Sequence, residues 1–515
     1  MAEKKNVLLV VVDQWRGDTL SYIGHPSVQT PHLDALCRDS VVFRNHYTQC
    51  APCGPARASL LTSLYMMNHR VVQNGIPMDT RHATLPMEMR KSGYDSALVG
   101  YTTTSPDPRQ TPADDPRFKF RGALMPGWTP IAPMDPARRP YFNWLRQHGM
   151  ALPEPPEDIW LPADGHDAPG GATRAPSRIP AELSDTSWTT KHGLAYLRGV
   201  EQQNWFMHLG YFRPHPPFIA PAPYNESHDP DDAPGPVRAA TREAEAEQHP
   251  LLDHYIRTEK QSKFFRDGTG LSSDMSETEV RVMRAAYYGM INEIDDHIGR
   301  IVAYLKESGQ YDNTLIVFTS DHAEMLGDHY LLGKIGYFDQ SFHIPLIVHD
   351  PSPDADSTRG RIVDAFTETI DIMPTILDWV GGAVPHTCDG ASLLPLCRGP
   401  LPADWRTEVH YEFDFRPYFN NATKPPPFGL SLDQCGLCVI RDEKYKYVHF
   451  DGLPPLFFDL EADPDQMQNR ANDPACAPIM LDYAQKMLSW RMRNADRTLT
   501  GYSATPDGLI NRRQT

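Results

Sequence analysis

Six consecutive apolar and mostly β-branched positions, Val7 to Val12, stand between Asn6 and Asp13. A run with no polar alternation predicts a strand covered on both faces, as in a parallel sheet. The same design recurs at residues 314 to 322, where Leu315 to Phe318 lead into Thr319, Ser320, Asp321 and His322. Two more short apolar runs, Ser96 to Val99 and Trp205 to Gly210, also end in polar loops. Between them lie helical spacings at Pro31 to Cys37 and Leu85 to Lys91. A longer helix is opened by the capping box Ser276-Glu277-Thr278-Glu279, and its stripe of Val280, Met283, Tyr287, Ile291, Ile294, Ile298, Ile301 and Leu305 belongs in a core. Glu293, Asp295 and Asp296 of that helix read as its solvated face. Strands alternating with helices predict an α/β sheet. After about residue 400 the pattern changes to short strands, Glu408 to Asp414, Gly436 to Arg441, Tyr445 to Phe450 and Leu456 to Asp459, followed by a helix near Ile479 to Arg493. The expected division is a larger unit over 1–400, with a proline-rich, aperiodic insertion at 105–180, and a smaller α+β unit over 401–515.

Polar residues at the strand ends are the first candidates for chemistry, because open α/β sheets bind ligands beyond the carboxyl ends of their strands. Asp13 alone would also suit a helix N-cap. Asp321-His322, repeating the design far along the chain, makes a shared cation site the better account. The aperiodic insertion, too long for an idle loop, is expected at the rim of the site or in a subunit contact.

Composition narrows the partners. The 515-residue chain has a formal net charge of -17, which argues against nucleic acid and anionic membranes, since both call for basic patches. The eight cysteines are scattered, and Cys435 and Cys438 read as ordinary strand and loop residues rather than half a zinc site. The apolar run near the N-terminus stops at Asp13 without a small-residue cleavage site, and no stretch approaches membrane-spanning length. A bacterial-type cytoplasm is the expected compartment.

The most telling run is Cys53-Gly54-Pro55-Ala56-Arg57, continuing Ala58-Ser59-Leu60-Leu61-Thr62. It resembles the C-x-P-x-R signature of the sulfatase family of the alkaline phosphatase superfamily, in which a maturation enzyme oxidises the cysteine to Cα-formylglycine. Arg57 arrives too early for the C-x5-R loop of cysteine-dependent phosphatases. Other segments resemble the same family: Asp13-Gln14 and Asp321-His322 as its two metal-ligand pairs, Arg213-Pro214-His215-Pro216-Pro217-Phe218 as a loop near the leaving group, and Gly333-Lys334 as its lysine segment. Leu460 through Ala471 resembles its Asp-Leu-x-x-Asp-Pro segment, so the likeness runs nearly end to end. Two departures stand out. Sulfatases usually carry Asp-Asp where this chain has Asp13-Gln14, and Gly-Lys-Trp-His where it has Gly100-Tyr101-Thr102-Thr103. Both departures resemble the phosphonate monoester hydrolase and phosphodiesterase branch.

The resemblance implies an alkaline phosphatase-like fold, with a large mixed, mostly parallel sheet sandwiched by helices and a small C-terminal antiparallel sheet plus helix. It implies a formylglycine at Cys53 as nucleophile and metal ligand, Arg57 beside it, and one divalent ion on Asp13, Gln14, Asp321 and His322. Manganese is favoured over calcium because Gln14 removes one negative charge and His322 supplies nitrogen. His215 and Lys334 would serve the leaving group, and Asn74, Tyr101 and Thr103 the substrate oxygens. The expected activity is hydrolysis of phosphonate monoesters and phosphodiesters, with sulfate monoesters as a side activity. A formylglycine-generating enzyme is the implied maturation partner, and a homotetramer the implied assembly. The alternatives are an arylsulfatase and a catalytically silent binding protein that keeps Cys53 as a thiol.

Overall fold

The structure is a computed structural model that describes residues 5–119, 123–166, 170–418 and 421–513. The apolar runs build one eight-stranded sheet. Its order is Ile362–Val363, Val41–Phe43, Leu346–His349, Thr314–Ser320, Asn6–Asp13, Phe206–Pro214, Ser96–Tyr101 and Thr129–Met134. Leu346–His349 runs antiparallel to both its neighbours, and every other pairing is parallel. The sheet is therefore mixed and mostly parallel, as expected.

The unbroken apolar run of the strand Asn6–Asp13 has the reason the pattern suggested. Leu8, Val10 and Val12 join a core with the helix Glu277–Glu307, while Val7, Leu9 and Val11 join a second core with Leu60, Leu61, Ile376 and Leu377 on the opposite face. Each such side chain taken out of water contributes roughly 1.5–3 kcal/mol. The sheet is thus fixed from both sides, and its carboxyl edge is a rigid platform.

The helix Glu277–Glu307 begins at the expected capping box, with Ser276 N donating to Glu279 Oε2 at 2.8 Å and Glu279 N to Ser276 Oγ at 3.3 Å. The expectation of a solvated acidic face on this helix is wrong for two of its three acids. Glu293 and Asp295 are buried. Asp295 accepts from Leu33 N at 2.7 Å and His32 N at 3.1 Å, so it caps the helix Pro31–Arg38 from outside that helix.

The C-terminal strands Val409–Asp414, Gly436–Arg441, Tyr445–Phe450 and Leu456–Asp459 form an antiparallel sheet, and the helix Ala477–Asn494 packs on it. A short hairpin, Tyr502–Thr505 with Gly508–Asn511, follows. The larger of these sheets has an unexpected fifth member: Cys50–Ala51 pairs in parallel with Glu412 and Phe413. The proline-rich insertion is less aperiodic than its sequence suggests, since it supplies the edge strand Thr129–Met134 and the helix Arg139–Gln147. Cys435 and Cys438 are free and buried. Among the described residues, no helix is long and apolar enough to cross a membrane.

Candidate active site

Strand register brings the first residues together. Val12 lies opposite Ser320 in neighbouring parallel strands, so Asp13 and Asp321 leave the sheet side by side. Both are fully buried, as is His322. Gln14 turns the chain with a φ of 74°, a left-handed conformation that costs a non-glycine residue roughly 1–2 kcal/mol. Two bonds hold it there. Its N–H donates to Asp321 Oδ1 at 3.2 Å, and its carbonyl accepts from the Tyr287 hydroxyl at 2.8 Å.

Cys53 arrives from the other direction. The strand Cys50–Ala51 anchors the approach, Pro52 is extended, and Cys53 is the first residue of the helix Cys53–Thr62. Cys53 Sγ lies 3.1 Å from His322 Nε2 and 3.7 Å from Asp13 Oδ1. One turn on, Arg57 reaches back with Nε 3.0 Å from Asp321 Oδ2 and Nη2 3.2 Å from Asp13 Oδ2. Its Nη1 donates to the Tyr101 carbonyl at 3.2 Å, and its guanidinium carbon lies 4.8 Å from the Tyr101 ring centroid. Asn74 Oδ1 accepts from Gly54 N at 2.7 Å, which places it at the start of the same helix.

Ligand-type atoms of Asp13, Cys53, Asp321 and His322 all lie within 4.8 Å of one another. Burial and the Asp321 charge push the Asp13 carboxyl up to about 7. Burial also opposes ionisation of Asp321, but His322, Arg57 and Lys334 together hold it below its ordinary value. Burial lowers His322 to about 3, so its imidazole is neutral and able to ligate. One buried carboxylate that resists ionisation, a second held ionised and a neutral imidazole fit a divalent cation, because a buried charge must be compensated. Burial pushes the Cys53 thiol up, with Asp13 adding to the effect, so an unmodified Cys53 is a protonated and weak nucleophile at neutral pH.

Gln14 sits between two charges: its Nε2 donates to Glu324 and its Oε1 accepts from Lys334 Nζ. Glu324 was not singled out in the sequence. It is fully buried, accepts from Leu326 N at 3.1 Å and from Gly333 N, and so fixes both the Gln14 amide and the backbone before Lys334. Its signal was its place three residues after Asp321 in the same post-strand run. Burial would lower Lys334, but Cys53, Asp13, Asp321 and Glu324 outweigh it and raise the ammonium above its usual value.

Aromatic rings form the adjoining wall. The Phe212 ring meets Tyr101 edge-on at 5.1 Å and His215 at 4.5 Å between centroids. His215 Nδ1 lies 2.8 Å from the Pro216 carbonyl, which leaves Nε2 for another partner. Burial, with Lys334 adding to it, drives the imidazole well below its ordinary pKa. Thr103 is buried two residues beyond Tyr101.

Comparison with known proteins agrees with this architecture. Residues 5–383 match the sulfatase family, and residues 327–493 match the C-terminal region of N-sulphoglucosamine sulphohydrolase. The chain is 54% identical, over 99% of both proteins, to the multifunctional alkaline phosphatase superfamily protein PehA of Trinickia caryophylli. It is similar to the crystal structure of the phosphonate monoester hydrolase of Agrobacterium radiobacter, with a TM-score of 0.94, 42% identity and coverage of 99% of this chain and 100% of the other. It is also similar to the phosphonate monoester hydrolase SpPMH from Silicibacter pomeroyi, with a TM-score of 0.92, 39% identity and the same coverage. A buried Cys-Arg helix start facing the Asp13–Asp321 edge of an alkaline phosphatase-like sheet, together with these likenesses, makes the chain a hydrolase that belongs to the sulfatase family of the alkaline phosphatase superfamily.

Proposed function

We propose that this hydrolase is a formylglycine-dependent metalloenzyme that cleaves phosphonate monoesters and phosphodiesters, with sulfate monoester hydrolysis as a side activity. One observation carries the reading: Cys53 lies among Asp13, Asp321 and His322 in surroundings that disfavour its thiolate. A cysteine so placed is a poor nucleophile as it stands and is well placed once oxidised. Asp13, Gln14, Asp321 and His322 would hold one divalent ion, manganese in preference to calcium. When present, the ion supplies Lewis-acid activation of an ester oxygen, and the formylglycine supplies the attacking oxygen of a hydrated aldehyde.

The chain's own residues do the rest. Arg57 holds the two carboxylates in place. Lys334 and His215 lie close enough to interact and suit the non-bridging oxygen and the departing oxyanion. Asn74, Tyr101 and Thr103 offer polar groups without a second cation, which suits a monoanionic diester better than a dianion. The names of the two similar solved structures point the same way. Maturation by a formylglycine-generating enzyme, a cytoplasmic location and a homotetrameric assembly complete the proposal.

The test compares kcat/KM on phenyl phenylphosphonate and on an aryl sulfate with manganese-loaded, matured enzyme. A preference of at least about tenfold for the phosphonate, or 1.4 kcal/mol in transition-state stabilisation, is expected. The opposite preference would make the protein an arylsulfatase.

A further inference from the structure

Arg138 is a cation beside the candidate active site. It stands four residues after the edge strand Thr129–Met134, at the same carboxyl edge of the sheet, and caps the helix Arg139–Gln147 with a φ of 50°. A left-handed conformation is unusual for a side chain of this size. Its guanidinium carbon lies 4.3 Å from the Phe212 ring centroid and 4.5 Å from that of Trp160. Phe212 is the ring that also touches Tyr101 and His215, so Arg138 is one ring removed from the candidate active site.

Among the described residues, no hydrogen-bond acceptor is found for its buried Nε, and no carboxylate lies within ion-pair distance of its guanidinium. Asp185, the nearby acid, contacts Arg213 through Oδ1 at 3.4 Å, and its Oδ2 has no hydrogen-bond partner, so it does not serve Arg138. Two rings lie against the guanidinium, and its N–H donors form the edge that recognises carboxylates and phosphates. Leaving the buried Nε–H unsatisfied beside aromatic surface is costly unless something outside the chain accepts it.

We infer that Arg138 is a specificity-determining residue that binds an anionic oxygen group, carboxylate or phosphate, on the ester substituent of the substrate, away from the reacting phosphorus. This rests on the proposed hydrolase activity and narrows its substrates to esters whose organic part carries a second negative group. A chain of net charge -17 disfavours such substrates at long range, so a local cation is needed to accept them.

The test uses p-nitrophenyl phenyl phosphate and its 4-carboxyphenyl counterpart, which share a leaving group, with manganese-loaded protein whose formylglycine content has been measured. In the unaltered enzyme the ratio of kcat/KM for the carboxylated over the unsubstituted ester is expected to exceed one. Arg138→Gln should lower that ratio by roughly tenfold or more, chiefly through KM, as expected for loss of a charge-assisted hydrogen bond. Arg138→Lys, which keeps the charge without the planar fork, should restore part of it. Because the ratio is taken within one protein, general misfolding cancels. An unchanged ratio in Arg138→Gln, with turnover of the unaltered enzyme intact, overturns the assignment to Arg138 alone. Failure of the unaltered enzyme to turn over either ester overturns the hydrolase proposal, and this inference with it.

Discussion

Arg57 carries the electrostatics of two buried carboxylates at once. Its side chain is 1% exposed and both partners are fully buried, so the pairs are not screened by solvent. Removing one partner of a buried ion pair leaves an uncompensated charge and costs about 3–5 kcal/mol. Arg57→Leu is therefore expected to lose about that much stability in urea unfolding of the metal-free protein; a change below about 1 kcal/mol would show that the carboxylates do not depend on it. At this scale the sequence was informative where a residue follows an apolar strand or sits in a contiguous signature, as Asp13, Cys53 and Asp321 do. It was silent on Glu324 and Arg138. Their importance comes from partners far along the chain, the Gln14 amide in one case and the Phe212 and Trp160 rings in the other.

The helix Glu277–Glu307 shows what periodicity can and cannot reveal. Its cap and its apolar stripe were readable because both depend on spacing within one segment. The burial of Glu293 and Asp295 was not, because it depends on Ser184, Asp185 and the start of the helix Pro31–Arg38 coming to meet them. Burial raises Glu293 from 4.5 to about 8, and its Oε1 has no hydrogen-bond partner. An acid whose folded pKa is raised contributes fully below its unfolded pKa, and that contribution is lost as pH rises through the folded value. The protein should thus lose stability between about pH 4.5 and about pH 8 on account of Glu293. Glu293→Gln removes the titration. Relative to the unaltered protein, the variant should gain at least about 1.4 kcal/mol in urea unfolding between pH 5 and pH 8, the equivalent of one pKa unit. An equal difference at both pH values would mean that Glu293 is ionised in the folded protein.

Across the whole molecule, the C-terminal sheet reaches into the active site through Cys50–Ala51, three residues before Cys53. The order of apolar and polar residues announced that sheet, but not this strand exchange, because a two-residue strand has no period of its own. The outer face of the helix Ala477–Asn494 leaves Leu481 61%, Leu488 60% and Met492 73% exposed, and the following hairpin exposes Leu509. Leu481, Leu488 and Met492 lie at helical spacing, and exposed apolar side chains so grouped suit the proposed self-association. In the proposed self-association, light scattering should give a multiple of the single-chain mass, and the pair Leu488→Glu with Met492→Glu should reduce it. A single-chain mass for the unaltered protein would rule that assembly out.

The proposed chemistry turns on the chemical identity of residue 53, which the mass of the tryptic peptide Asn45 to Arg57, containing both Cys50 and Cys53, reads out. From protein co-expressed with a formylglycine-generating enzyme, the account predicts loss of one sulfur and two hydrogens and gain of one oxygen at Cys53, with Cys50 unchanged. Two unmodified cysteines under those conditions would contradict the proposed chemistry.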